Sequence, residues 1–188
     1  MRWMAFLPLL LAAPAWSQAD AGLLDKLRGG GYILYLRHTS TDFSQNDSRM
    51  KSYEDCANQR NLTDRGREEA RALSAHLKRL AIPVGVVMAS PFCRTMETGR
   101  LVFGKAQPMQ EVRGGPARTD DAARYDPLRK LMSTKPPAGQ NSAISSHGNP
   151  FHAVFGPPYL AEGEMAVIDP STLAIVGRVR LEDWQLLK

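Results

Sequence analysis

Gly31-Tyr32-Ile33-Leu34-Tyr35-Leu36 runs directly into Arg37-His38, and the same arrangement recurs twice further along the chain. Val84-Gly85-Val86-Val87-Met88-Ala89 runs into Ser90-Pro91-Phe92-Cys93-Arg94, and Asn141-Ser142-Ala143-Ile144-Ser145-Ser146 runs into His147-Gly148-Asn149. Each is a short strand-like segment that ends on, or just before, a cationic or imidazole side chain. In open α/β sheets, ligands bind at the carboxyl ends of parallel strands. Such a sheet brings two arginines and two histidines to one mouth. That is a pocket suited to a phosphoryl group, with an imidazole placed to attack it.

Between these runs, the elements alternate as parallel βα units do. Thr63 is placed to cap a helix reaching about Leu80, with Ala70, Leu73, Leu77 and Leu80 on one apolar stripe. Ile82-Pro83 ends it, and Val84 to Ala89 is an apolar run of the kind buried on both faces. Pro91 suits the first turn of a helix that runs to about Phe103 and stops at Gly104. A third strand is expected over Pro108 to Val112, a short helix over Asp120 to Tyr125, and a further helix from Asp126-Pro127 to about Ser133. Glu164 to Ile168 and Leu173 to Val179 form two more strands, whose tight Asp169-Pro170-Ser171-Thr172 connection implies an antiparallel hairpin. The polar Thr39–Arg60 stretch and the Asn149–Glu162 stretch are expected as specificity-setting loops. The expected fold is a three-layer α/β/α sandwich, with a mostly parallel central sheet and an antiparallel C-terminal edge hairpin.

With 188 residues, 43% hydrophobic and 23% charged, the chain has the composition of an ordinary globular domain. The formal net charge is +5, but the basic residues are scattered, and the Arg65–Arg71 cluster is interleaved with Glu68 and Glu69. That cluster reads as a solvated helix face, so no nucleic-acid partner is expected. Residues 1–19 carry the marks of a secretory signal: Arg2, an apolar run from Met4 to Ala13, and small residues around Ala15-Trp16-Ser17 or Ser17-Gln18-Ala19. The apolar run falls short of the roughly 20 residues a spanning helix needs, although an uncleaved anchor is the alternative. The expectation is a secreted or periplasmic domain over 20–188, with no membrane span after cleavage. In that compartment Cys56 and Cys93 favour a disulfide over two free thiols.

A phosphate monoester carries close to two negative charges, and arginine forks match its oxygens bidentately. Arg37 follows the first strand, and Arg94 falls in the first turn of a helix, whose free N–H groups also favour an anion. With both present, charge neutralisation requires no metal or cofactor. His38 is the candidate nucleophile, kept unprotonated by the two arginines, and His147 the candidate donor to the phosphoryl oxygens.

Four ordered motifs turn this chemistry into a resemblance. Leu36-Arg37-His38-Thr39, Leu62-Thr63-Asp64-Arg65-Gly66-Arg67, Ser90-Pro91-Phe92-Cys93-Arg94-Thr95-Met96-Glu97-Thr98 and Ser146-His147-Gly148-Asn149 look like the histidine phosphatase superfamily, the phosphoglycerate-mutase-like clan, from about residue 30 to 180. The resemblance implies that His38 becomes a phosphohistidine, held by Arg37, Arg94 and His147, with a small phosphorylated substrate. It departs from the pattern at Thr39, where the family usually has glycine; Thr39 and Asn149 are the expected substrate contacts. It departs again at the general acid. Glu164 ranks first, then Glu162, then Glu111, with Asp120 and Asp121 also available, or no acid at all. The implied activity is hydrolysis of a phosphomonoester outside the cytoplasm. The alternatives are a phosphohistidine protein phosphatase, or a non-catalytic phosphate-binding protein of the same fold.

Overall fold

The computed structural model describes residues 17–116, 118, 120–121 and 123–187. The segment read as a signal therefore lies outside the described residues up to residue 16. Six strands form one sheet: β1 (Ile33–Arg37), β2 (Val84–Ala89), β3 (Gln107–Pro108), β4 (Asn141–Ser146), β5 (Met165–Ile168) and β6 (Ile175–Val179). Their order is β3-β2-β4-β1-β5-β6. The first four run parallel; β5 lies antiparallel to β1, and β6 antiparallel to β5. Among the described residues five α-helices accompany them: α1 (Ser17–Gly29), α2 (Asp64–Arg79), α3 (Cys93–Phe103), α4 (Asp126–Met132) and α5 (Gly148–Phe155). This is the expected α/β sandwich with its C-terminal hairpin.

Strand periodicity explains the layers. Along β1, Leu34 and Leu36 enter one core with Leu24 and Leu27 of α1, Leu73 and Leu77 of α2, and Val102 of α3. Ile33 and Tyr35 enter the opposite core with Leu128 and Met132 of α4 and Phe151 of α5. Alternate side chains point to opposite faces, so a strand apolar at every position needs helices on both sides. α2 starts where Thr63 caps it, its Oγ1 accepting the Gly66 N–H at 2.9 Å. Gly66 also fixes how closely that helix approaches the site, since a Cβ there would stand 2.1 Å from the Ser40 carbonyl oxygen.

Several expectations need correction. β2 is half-exposed over Val84, Gly85 and Val86, because its outer neighbour β3 pairs only with Met88 and Ala89. The third strand falls earlier than expected and gives way to a 3-10 turn over Gln110–Val112. Ala123–Tyr125 is a turn and not a helix, and Asn149 lies in the first turn of α5 where a loop was expected. The sequence reading placed no element before β1; α1 forms there because Leu23, Leu24 and Leu27 share one buried face. No described helix is long and apolar enough to cross a membrane.

Candidate active site

The carboxyl ends of β1, β4 and β2 open into a cleft of about 430 Å³. Arg37, His38, Arg94, His147 and Asn149 all line it, together with Asp47, Arg60, Phe92 and Tyr159. Parallel pairing is what gathers them. Arg37 lies opposite Ser146 in the β1–β4 ladder, and the His38 N–H continues that ladder to the Ser146 carbonyl at 3.0 Å. The next residue on β4 is His147, so the two imidazoles stand edge to face with centroids 5.5 Å apart. β2 ends alongside, its Ser90 N–H bonded to Ser145 O at 2.9 Å, and α3 then carries Arg94 into the cleft in its first turn.

His38 is 1% exposed, and its ring orientation is set from behind. Nδ1 lies 3.0 Å from the Thr39 carbonyl oxygen, which can only accept, so Nδ1 carries the proton. The lone pair is then on Nε2. Burial, reinforced by the charges of Arg94 and Arg37, holds this imidazole well below the usual histidine range, against the opposing pull of the Thr39 hydrogen bond. His147 is held low by burial first and then by Arg94 and His38. Its Nε2 makes a 2.8 Å hydrogen bond with the Ser90 hydroxyl, and the Tyr35 hydroxyl donates to its carbonyl oxygen at 2.8 Å.

The end of β1 is pinned by Gly163, whose N–H reaches both the Arg37 and His38 carbonyl oxygens, at 3.2 and 3.0 Å. Its φ of 76° lies in the left-handed region that favours glycine. The Arg37 guanidinium donates to Leu160 O at 2.7 Å and reaches Glu162 Oε1 at 3.5 Å. Arg94 makes a two-pronged pair with Asp47, Nη1 to Oδ1 at 3.0 Å and Nη2 to Oδ2 at 3.1 Å. Arg37, Arg60 and Arg94 each keep a buried Nε with no hydrogen-bond partner. Three guanidinium groups therefore face a cleft lined, among the described residues, by one carboxylate.

Of the expected acids, Glu164 does not line this cleft. It is 4% exposed, and both oxygens are engaged, Oε2 by the Ala161 N–H at 2.8 Å and Oε1 by Arg178 Nε at 2.7 Å. Its role is to tie β5 to β6. Glu162 also stays out of the cleft, but it lies behind the His38 ring, with Oε1 3.8 Å from His38 Nδ1 and 2.8 Å from the Thr41 hydroxyl. Glu111 is exposed and outside the cleft. Thr39 is fully buried, and its N–H and hydroxyl face Thr98 Oγ1 of α3 at 3.3 and 3.4 Å, which turns it away from the cleft. Asn149 is on the cleft wall and accepts a hydrogen bond from the Tyr159 hydroxyl. Glu97 pairs with Arg67 at 2.7 Å and joins α3 to α2.

Arg60, Asp47 and Tyr159 line the cleft although none of them belongs to a motif read from the sequence. Arg60 stands two residues before Leu62-Thr63, the start of α2, and that adjacency to a placed element was the available signal. Asp47 had none: it reaches Arg94 because the loop folds back. Cys56 and Cys93 are bonded, with Cα atoms 5.8 Å apart. The Gln59 amide bridges the same two segments, accepting the Cys93 N–H at 2.9 Å and donating to Tyr53 O at 2.9 Å.

The family model of the histidine phosphatase superfamily (branch 1) matches residues 33–122. Among solved structures, the protein histidine phosphatase SixA in complex with tungstate is 17% identical with a TM-score of 0.55, covering 81% of this chain and 98% of its own. SixA from Agrobacterium tumefaciens is 15% identical with a TM-score of 0.54, covering 79% and 97%. A mycobacterial glucosyl-3-phosphoglycerate phosphatase is 16% identical with a TM-score of 0.52, covering 74% and 90%. No curated protein sequence matches the chain. Residues 33–122 thus match the histidine phosphatase superfamily, and the fold is shared with solved phosphatases of that kind.

Proposed function

We propose that this protein is an exported phosphatase that hydrolyses a phosphomonoester through a phosphohistidine at His38. One observation carries the reading: a neutral imidazole with its lone pair on Nε2 lines a cleft shared by three arginines. In the first step Nε2 forms a bond to phosphorus as the bond from phosphorus to the leaving oxygen breaks. Arg37 and Arg94 balance the charge on the equatorial oxygens, and neutral His147 serves them as a hydrogen-bond donor. The leaving oxygen takes its proton from water. In the second step water attacks phosphorus, the N–P bond breaks, and inorganic phosphate leaves with the imidazole restored. Glu162, behind Nδ1, offsets the positive charge the ring carries while it is phosphorylated. Export is supported by the apolar N-terminal stretch and agrees with the Cys56–Cys93 bridge.

A second reading has its own support. Asp47 is the one carboxylate lining the cleft among the described residues, and Arg94 already holds it, which favours a leaving group that departs with little protonation. A phosphoramidate such as phosphohistidine is of that kind. The test is steady-state turnover by the purified protein on an aryl phosphate, an alkyl phosphate and a phosphohistidine peptide. Turnover of the phosphomonoesters that His38→Ala abolishes supports the first reading. Turnover of the phosphohistidine peptide alone supports the second. Phosphate binding without turnover of any of the three contradicts both.

A further inference from the structure

Arg94 is the most completely buried of the three cleft arginines, its side chain 6% exposed, yet its fork is already filled. Asp47 approaches end-on, with both oxygens within 3.1 Å of the two terminal nitrogens, in the geometry a phosphoryl group uses with arginine. Arg94 Nη1 also donates to Arg60 O at 3.2 Å, which leaves the buried Nε as its one nitrogen without a partner. Asp47 also accepts the Arg60 N–H at 2.9 Å, so one carboxylate closes the loop onto α3. Its own side chain is 32% exposed, open to exchange with an anion arriving from solvent.

We propose that Asp47 is an internal stand-in for the phosphoryl group, and that it sets the affinity of the cleft for substrate and for inorganic phosphate. Phosphate and the Asp47 carboxylate compete for one guanidinium fork. Substrate entry is an exchange of anions at Arg94, and the return of Asp47 drives the product off. The exchange also limits desolvation, because Arg94 is never left buried without a counter-charge. This inference rests on the phosphatase reading and adds to it a residue that controls phosphate affinity and release.

The test is calorimetric titration of inorganic phosphate into the wild-type protein, Asp47→Asn and Asp47→Ser at one pH and salt concentration. It is paired with KM, kcat and product inhibition on an aryl phosphate. Asp47→Asn keeps an oxygen for the Arg60 N–H while removing the charge. Asp42→Asn is the control, a partly buried carboxylate on the same loop that does not line the cleft. Both Asp47 variants should bind phosphate about tenfold more tightly or better, because a like charge beside the bound anion has gone. KM should fall with product-inhibition constants, and kcat should fall as release slows, while Asp42→Asn changes none of these. A residue that merely props Arg94 gives the opposite sign, weaker phosphate binding and a higher KM. A wild type that binds phosphate while neither Asp47 variant binds it more tightly overturns this inference alone. A wild type that neither binds phosphate nor turns over substrate overturns the phosphatase reading as well.

Discussion

The floor of the cleft and its wall are built by different physics. The floor is set by regular elements: Arg37, His38 and His147 follow adjacent parallel strands, and Arg94 enters on the first turn of α3. Backbone ladders fix those positions to within a hydrogen bond. The wall, residues 41 to 62, has a single antiparallel bridge at its neck, Thr41 to Leu62, and one short 3-10 turn. It is held by side chains instead: the disulfide, the Gln59 amide, and Asp47 on Arg94. The proposed chemistry thus sits on the rigid part, and the proposed control of affinity on a part that a few contacts can retune.

Breaking the floor should have the largest effect. His38→Ala removes the proposed nucleophile, and kcat/KM on an aryl phosphate should fall about a thousandfold or more, with the fold intact by circular dichroism. A variant retaining most of its activity would place the nucleophile elsewhere.

Breaking the wall should act on stability. The bridge spans a sequence separation of 37, and the double change Cys56→Ser with Cys93→Ser should lower unfolding free energy by about 4 kcal/mol on the chain-entropy account. Urea unfolding with and without reductant reads it. Phosphate affinity should rise in the same variant, since the loop that carries Asp47 onto Arg94 is loosened. Unchanged stability and affinity would mean that Gln59 and Asp47 suffice to hold the wall.

Acid sharpens the contrast, because both floor histidines are buried neutral. Their folded-state proton affinity is lower than in the unfolded chain, so the unfolded state takes protons first as pH falls below the ordinary histidine value of about 6.5. Stability should be full above that value and should decline below it, by up to about 1.4 kcal/mol per pH unit for each ring, until the folded rings titrate. Denaturation midpoints between pH 7 and 4.5 measure this. The double change His38→Asn with His147→Asn should flatten that decline, and an identical slope in parent and variant would contradict the assignment.

The smallest effect is expected behind the floor. Glu162→Gln keeps an acceptor for Thr41 and loses the charge 3.8 Å from His38 Nδ1. We expect kcat to fall about tenfold with KM little changed, through a less stable phosphorylated ring. A change in KM alone would make Glu162 a binding residue.

The same contrast explains what could be read from sequence. Strand length, the switch to helical spacing at Thr63, and Arg or His at the strand ends are local signals, so Arg37, His38, Arg94 and His147 could be placed on one sheet edge. The general acid could not be read. Glu164 looked well placed at a strand start, but there it is turned to Arg178, while Glu162, two residues earlier and outside the strand, reaches the back of His38. Strand parity says nothing about a residue in a loop. Asp47 and Arg60 depend on how a long polar segment folds back on α3, a matter of tertiary contacts that no periodicity encodes. The exposed half of β2 was missed for a related reason: burial depends on the length of the neighbouring strand, which is the two-residue β3.

The central claim is that the Nε2 of His38 bonds to phosphorus. Rapid mixing with an aryl phosphate, followed by alkaline quench and peptide mass spectrometry, tests it directly. The expected result is one acid-labile phosphoryl group on His38, formed before the steady state and absent from His38→Ala. A phosphoryl group on any other residue, or full turnover with no phosphorylated protein at any time, would contradict it.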